Sequence, residues 1–122
     1  MEARRPLLLV DDDDDIREAV RMTLEDEGYE VIEARDGREA LDWLRSHAAP
    51  SVMLLDWNMA PMNGAQLAAE LSKDARLATL PIIVLTADTT ALGRVQVPHH
   101  AGWLKKPFRV EELLDVVRRY CA

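Results

Sequence analysis

Cysteine is almost missing from this 122-residue sequence: Cys121 stands alone beside the C-terminus. A disulfide framework and a CxxC metal or redox motif are thereby excluded, and a reducing cytoplasm is the expected setting. Aromatic residues are scarce, with one Phe, two Tyr and three Trp, so a core must rest on aliphatic packing. Long hydrophobic runs are lacking too. Met1 to Arg5 is polar and leads into the short run Leu7–Val10, which is neither a signal peptide nor a membrane span. Positive charge is in the minority, with 15 Lys and Arg against 22 Asp and Glu for a net −7. No basic stripe offers the electrostatic footprint of direct nucleic-acid binding.

What remains is 48% hydrophobic and 30% charged, the balance of a folded chain rather than a disordered one. The length fits one domain over residues 1–122, and no repeat, linker or low-complexity tract divides it. Leu7–Val10 is an apolar run that stops at five aspartates, as a strand covered on both faces stops where water begins. Ile16, Val20 and Leu24 recur at helical spacing before Gly28, which gives a helix with an acidic start and a glycine end. A second strand is expected over Tyr29–Ala34. The Asp36-Gly37-Arg38-Glu39 cap pattern then opens a helix that carries Ala40, Leu41 and Leu44 inward and ends near Ser46.

The third strand, Val52–Leu55, terminates at Asp56, and a loop to Gly64 precedes a helix marked by Leu67, Ala68 and Leu71. Ile82–Leu85 forms the fourth strand and ends at Thr86; Gly102–Lys105 forms a brief fifth. Lys106-Pro107 leads into a final helix with Val110, Leu113, Leu114 and Val117 inward. Between the fourth and fifth strands, Gly93, Val95, Val97 and Pro98 interrupt helical spacing, so a helix over Asp88–Ala101 is short or irregular. Alternation of strand and helix implies an α/β fold with a parallel sheet wound on both faces, because each right-handed crossover needs a helix to return the chain.

The residues just past the apolar runs are chemically reactive or charged: Asp11 and Asp12, then Asp56, Thr86 and Lys106. All stand at carboxyl ends of strands, which share one edge of a parallel sheet and border its ligand crevice. Three aspartates there repel one another unless a cation joins them. An all-oxygen ligand set in an open crevice favours a hard ion, magnesium over a calcium cage. A calcium loop starting at Asp11 is rejected because its sixth and twelfth positions are Ile16 and Met22 rather than Gly and Glu.

The succession Asp11-Asp12, Asp56-Trp57-Asn58-Met59, Thr86-Ala87 and Lys106-Pro107-Phe108 resembles the receiver domains of two-component response regulators, of the chemotaxis-regulator kind, over essentially the whole chain. The acidic loop before Ile16-Arg17-Glu18 and the Asp36-Gly37 turn with Ala40-Leu41 belong to the same resemblance. It implies a flavodoxin-like, doubly wound five-stranded parallel sheet in the order 2-1-3-4-5. It also implies that Asp56 is the phosphoacceptor and that Mg2+ is held by Asp12, Asp56 and the backbone carbonyl of Asn58, with Asp11 ordering a water ligand of that ion. Lys106 and Thr86 would grip the phosphoryl oxygens, and Thr86 with Trp103 would form the conformational switch.

The implied phosphodonor is a histidine kinase or phosphotransfer protein. The implied recipient of the signal is an unidentified downstream protein or a fused output domain. No membrane partner is expected, and the domain assists its own phosphorylation and dephosphorylation without being an enzyme. Two other functions compete. A haloacid-dehalogenase-type phosphatase needs a second Asp two residues after its nucleophile, where this chain has Asn58. A pseudo-receiver, a phosphorylation-independent binding module, would have lost part of the acidic pair, the acceptor or the lysine, and all are present.

Several residues carry ordinary structural expectations. Asp13, Asp14 and Asp15 read as a solvated, helix-capping acidic turn, Trp43 as helix packing, and His99 with His100 as solvent-facing turn residues. Ala60 and Asn63 depart from the family's usual Pro and Asp and are expected to affect loop stiffness only. The poor helix of Asp88–Ala101 puts the family's usual partner-binding face in doubt, because it lies in that face.

Overall fold

A computed structural model describes residues 5–57, 62–87 and 100–120, with backbone only at residues 100 and 101. Five parallel strands, β1 (Leu7–Val10), β2 (Val31–Ala34), β3 (Met53–Asp56), β4 (Ile82–Thr86) and β5 (His100–Lys105), lie in the order β2-β1-β3-β4-β5. Among the described residues four helices accompany them: α1 (Asp14–Asp26), α2 (Gly37–Ser46), α3 (Gly64–Ser72) and α4 (Val110–Tyr120). The arrangement is the flavodoxin-like doubly wound fold that the resemblance implies. The expected short or irregular helix between β4 and β5 lies outside the described residues.

Two-sided burial explains why the central strands are continuous apolar runs. Leu8, Val10 and Leu55 face α2 and α3 and pack with Leu41, Leu44 and Leu67. Their neighbours Leu7, Leu9 and Leu54 face the other way, against Leu24 of α1 and Leu113 and Val117 of α4. Successive side chains of a strand point to opposite faces, so a strand with no polar alternation must be covered twice.

Helix ends obey local chemistry. Asp13 caps α1, its carboxylate accepting from the N–H groups of Asp15 and Ile16 at 3.0 and 3.1 Å, as the acidic-turn reading expects. Asp36 caps α2 by accepting from Glu39 N–H at 2.9 Å. Asn63 does more than stiffen a loop: it accepts from Gln66 N–H while the Gln66 side chain accepts from Asn63 N–H, both at 2.9 Å. This reciprocal cap fixes the start of α3.

Four expectations about the chain's path are corrected or refined. Tyr29 is not in β2: its N–H donates to Leu24 O at 3.1 Å while Gly28, at φ 90°, donates to Glu25 O at 3.0 Å. Helix termination therefore claims Tyr29, and the left-handed residue this requires is the one that lacks a Cβ. His100 is a strand residue rather than a turn residue. A register shift between Ile82 and Ile83 pairs Ile82 with His100 and Ile83 with Gly102, and this bulge extends β5 backward by two residues. His99 lies outside the described residues. Val110, expected inward, is 50% exposed because it opens α4 at the margin of the core; Phe108 packs against the core there instead. Trp43 is half-buried against the α2 side of the core, as expected, and its ring also stacks on His47, with centroids 4.5 Å apart.

Candidate functional site

The parallel order brings the ends of β1, β3, β4 and β5 to one edge of the sheet. Asp11 comes directly after β1, Asp56 ends β3, Thr86 ends β4 and Lys106 comes directly after β5. Backbone ties hold these ends in register: Asp11 N–H donates to Ala34 O at 3.2 Å, Trp57 N–H to Leu85 O at 3.0 Å, and Lys106 N–H to Thr86 O at 2.8 Å.

Asp11, Asp56 and Thr86 are all buried, at 0, 5 and 1% exposure, in a core that is otherwise apolar among the described residues. Buried acids are costly unless paired, and Lys106 supplies the pairing. Its Nζ donates to Asp11 Oδ2 at 3.0 Å and lies 3.5 Å from Asp56 Oδ1. The other oxygen of Asp11 accepts from Asp13 N–H at 2.9 Å. Asp12, beside it, is exposed to solvent.

Carboxylate oxygens of Asp11, Asp12 and Asp56 lie within 4.8 Å of one another. Three carboxylates against the single ammonium of Lys106 leave two formal negative charges, which a divalent cation would balance. The donor set is all oxygen, as a hard ion requires. Ligands on opposite sides of a six-coordinate Mg2+ stand about 4.2 Å apart for bonds of about 2.1 Å, so the group fits such an ion with a small closure or with one acid acting through water. Asn58, expected to lend its carbonyl, lies outside the described residues.

Close packing supports the strand that carries Asp56. Trp57 is buried, and its backbone carbonyl accepts from Gly64 N–H at 3.1 Å. A Cβ on Gly64 would stand 2.4 Å from the Trp57 ring and 3.0 Å from its Cα, so only glycine lets α3 begin this close to the site. Trp103, the expected switch residue, sits on edge strand β5 and is 47% exposed, with its ring outside the core.

One residue at the site has no role legible in the sequence. Arg17 on α1 donates from Nη1 to the carbonyl oxygen of Asp11 at 2.9 Å. It also pairs with Asp14 at 2.6 Å and with Glu33 of β2 at 3.3 Å. Partial burial alone would lower its pKa, but the two carboxylates outweigh it and hold the guanidinium above its ordinary value. The partners come from three segments of the chain, and only the i, i+3 pairing with Asp14 leaves a sequence signal.

Comparison with known proteins agrees with this geometry. Residues 7–118 match the response regulator receiver domain family. The chain is 41% identical over 120 residues to chemotaxis protein CheY1 of Helicobacter pylori, covering 91% of this chain and 94% of that protein. It is 38% identical over 120 residues to response regulator Rre1 of Synechocystis sp., covering 95% of this chain but only 51% of Rre1, so the chain spans about half the length of that relative. Among solved structures, chemotaxis protein CheY4 of Vibrio cholerae superposes with a TM-score of 0.88 at 36% identity, covering 97% of this chain and 99% of that one. With the family match spanning the whole sheet and every strand end at the site, the chain belongs to the response regulator receiver domain family of two-component signalling.

Proposed function

We propose that this domain is a phosphorylation-dependent switch that takes a phosphoryl group onto Asp56 from a phosphohistidine of a histidine kinase or phosphotransfer protein in the cytoplasm. The observation that carries the reading is the position of Lys106 Nζ between Asp11 and Asp56, at 3.0 and 3.5 Å, on the same edge as Asp12 and Thr86. Phosphoryl transfer needs little besides positioning and charge neutralisation, and this edge offers both.

An oxygen of the Asp56 carboxylate attacks phosphorus in line. The new O–P bond forms as the P–N bond to the donor imidazole breaks, and the leaving nitrogen keeps the electron pair. Lys106 offsets charge on the phosphoryl oxygens, and the buried Thr86 at the end of the neighbouring strand supplies a hydroxyl to them. Asp12, Asp56 and the carbonyl of Asn58 would hold Mg2+, with Asp11 in an outer position. That ion supplies further neutralisation of the phosphoryl oxygens when bound. The acyl phosphate then biases Thr86 inward, and Trp103 moves toward the core from its exposed position, changing the surface that a downstream protein or fused output domain meets.

Transfer of labelled phosphoryl from a phosphorylated histidine donor tests the assignment. Wild type is expected to take up label in the presence of Mg2+, and Asp56→Asn is expected to take up essentially none. Equal labelling of the two proteins contradicts the reading, and no labelling of wild type by any donor favours the phosphorylation-independent binding module.

A further inference from the structure

We infer that Arg17 is a positioning residue for the acidic pair, setting Mg2+ affinity by holding the Asp11–Asp12 peptide; the inference rests on the Mg2+ site proposed above. Asp12 is exposed, and its carboxylate has no hydrogen-bond partner among the described residues, so only the backbone that carries it limits where it can reach. The rest of the turn is anchored. Asp11 N–H donates to Ala34 O at 3.2 Å, one Asp11 oxygen accepts from Asp13 N–H at 2.9 Å, and the other accepts from Lys106 at 3.0 Å. The remaining backbone freedom is rotation of the peptide plane between Asp11 and Asp12, whose carbonyl oxygen is the atom that Arg17 Nη1 grips at 2.9 Å.

Arg17 can serve as an anchor because it is itself fixed. Its side chain is 12% exposed and is clamped by Asp14 on its own helix and by Glu33 on β2. The planar fork meets three acceptors at once, which a lysine ammonium on a flexible stem does not reproduce. At this location positioning and charge predict opposite signs. Removing a positive charge from the neighbourhood of a cation site strengthens cation binding if Coulomb attraction is all that matters. Removing the anchor weakens binding if orientation of Asp12 matters more. Loss of an outer residue that orients a metal ligand weakens affinity by roughly 10- to 100-fold in other metal sites.

Arg21 provides a matched control. It lies one helical turn further along α1 and shares Glu33 with Arg17, at 3.3 Å, and it also pairs with Glu25 at 2.9 Å. Its substitution removes the same charge without touching the carbonyl of Asp11.

The experiment is Mg2+ titration of the purified protein by calorimetry, and by fluorescence with the Trp57 signal assigned through Trp57→Phe. It compares wild type, Arg17→Gln, Arg17→Lys and Arg21→Gln, each shown to be folded by its thermal transition. The expected result is about a tenfold or greater rise in the Mg2+ dissociation constant for Arg17→Gln, with Arg21→Gln within about twofold of wild type. Arg17→Lys, which keeps the charge and most of the packing, is expected to bind several-fold more weakly than wild type. Phosphorylation of Arg17→Gln should then need more Mg2+ for half-maximal rate, while the rate at saturating Mg2+ approaches that of wild type. Affinity of Arg17→Gln equal to or tighter than wild type overturns the inference, as does equal weakening by Arg21→Gln or full affinity in Arg17→Lys. Should Arg17→Gln not fold, the lysine variant decides alone. Failure of wild type to bind Mg2+ would instead overturn the proposed metal site, a result distinguishable from all of these.

Discussion

Replacing Lys106 with methionine is expected to slow phosphoryl transfer to Asp56 by on the order of 10²- to 10³-fold at saturating Mg2+, the usual effect of removing one donor aimed at developing charge. Methionine keeps an unbranched stem of similar reach and removes the ammonium, so packing at the end of β5 is largely conserved while charge is lost. The fully buried carboxylate of Asp11 would keep only the N–H of Asp13 as a described hydrogen-bond partner. The variant should therefore also unfold at lower denaturant concentration, and because the site becomes more negative, Mg2+ should recover more stability than it gives wild type. A time course of labelling from a small acyl phosphate measures the rate without depending on a kinase surface. A Lys106→Met rate within a few-fold of wild type would remove the lysine from the chemistry.

The largest effect on stability is expected from the strand that carries Asp56. Leu55 is fully buried in the middle of the sheet, paired with Val10 on one side and Val84 on the other. It packs on the α2 and α3 face together with Trp57 and Leu67. Leu55→Ala removes three heavy atoms from a site where neither adjacent strand can move inward without breaking the ladder. A loss of about 2–5 kcal/mol is expected, the range for cavities of this kind. Urea unfolding should show a lower midpoint with an unchanged slope. Because Asp56 is the next residue, binding of Mg2+ should raise the midpoint of this variant as it raises that of wild type. A midpoint shift worth less than about 1 kcal/mol would mean that β3 is not the packed centre described here.

Much of this architecture is legible in the residues because one physical rule serves both fold and site. Leu7–Val10 and Ile82–Leu85 are unbroken apolar runs, which only a strand buried on both faces tolerates. Each run gives way to a polar residue because the strand has reached the sheet's edge. The sequence pattern alone therefore puts Asp11, Asp56, Thr86 and Lys106 together, and the structure brings them to one edge, with Lys106 in contact with two of the acids.

The misses fall where backbone geometry or distant partners decide. Tyr29 has the side chain of a strand residue, yet the turn after α1 uses its N–H. The extension of β5 to His100 depends on a bulge, which leaves no side-chain pattern. The Asn63–Gln66 cap does leave a signal, a polar pair three residues apart, but Asn63 also suits a loop, and only the reciprocal hydrogen bonds show that it starts α3. Arg17 is the instructive case. On α1 it looks like an ordinary exposed helix cation, and its grip on Asp11 exists only because β1, α1 and β2 meet.

The central claim is chemical: one carboxylate, that of Asp56, becomes an acyl phosphate. Borohydride reduction of freshly phosphorylated protein converts such a group to the alcohol of homoserine, and peptide mapping by mass spectrometry then locates it. Homoserine is expected at position 56, dependent on Mg2+ and absent from unphosphorylated protein. Homoserine at another aspartate, or none in protein shown to carry phosphoryl label, would contradict the claim.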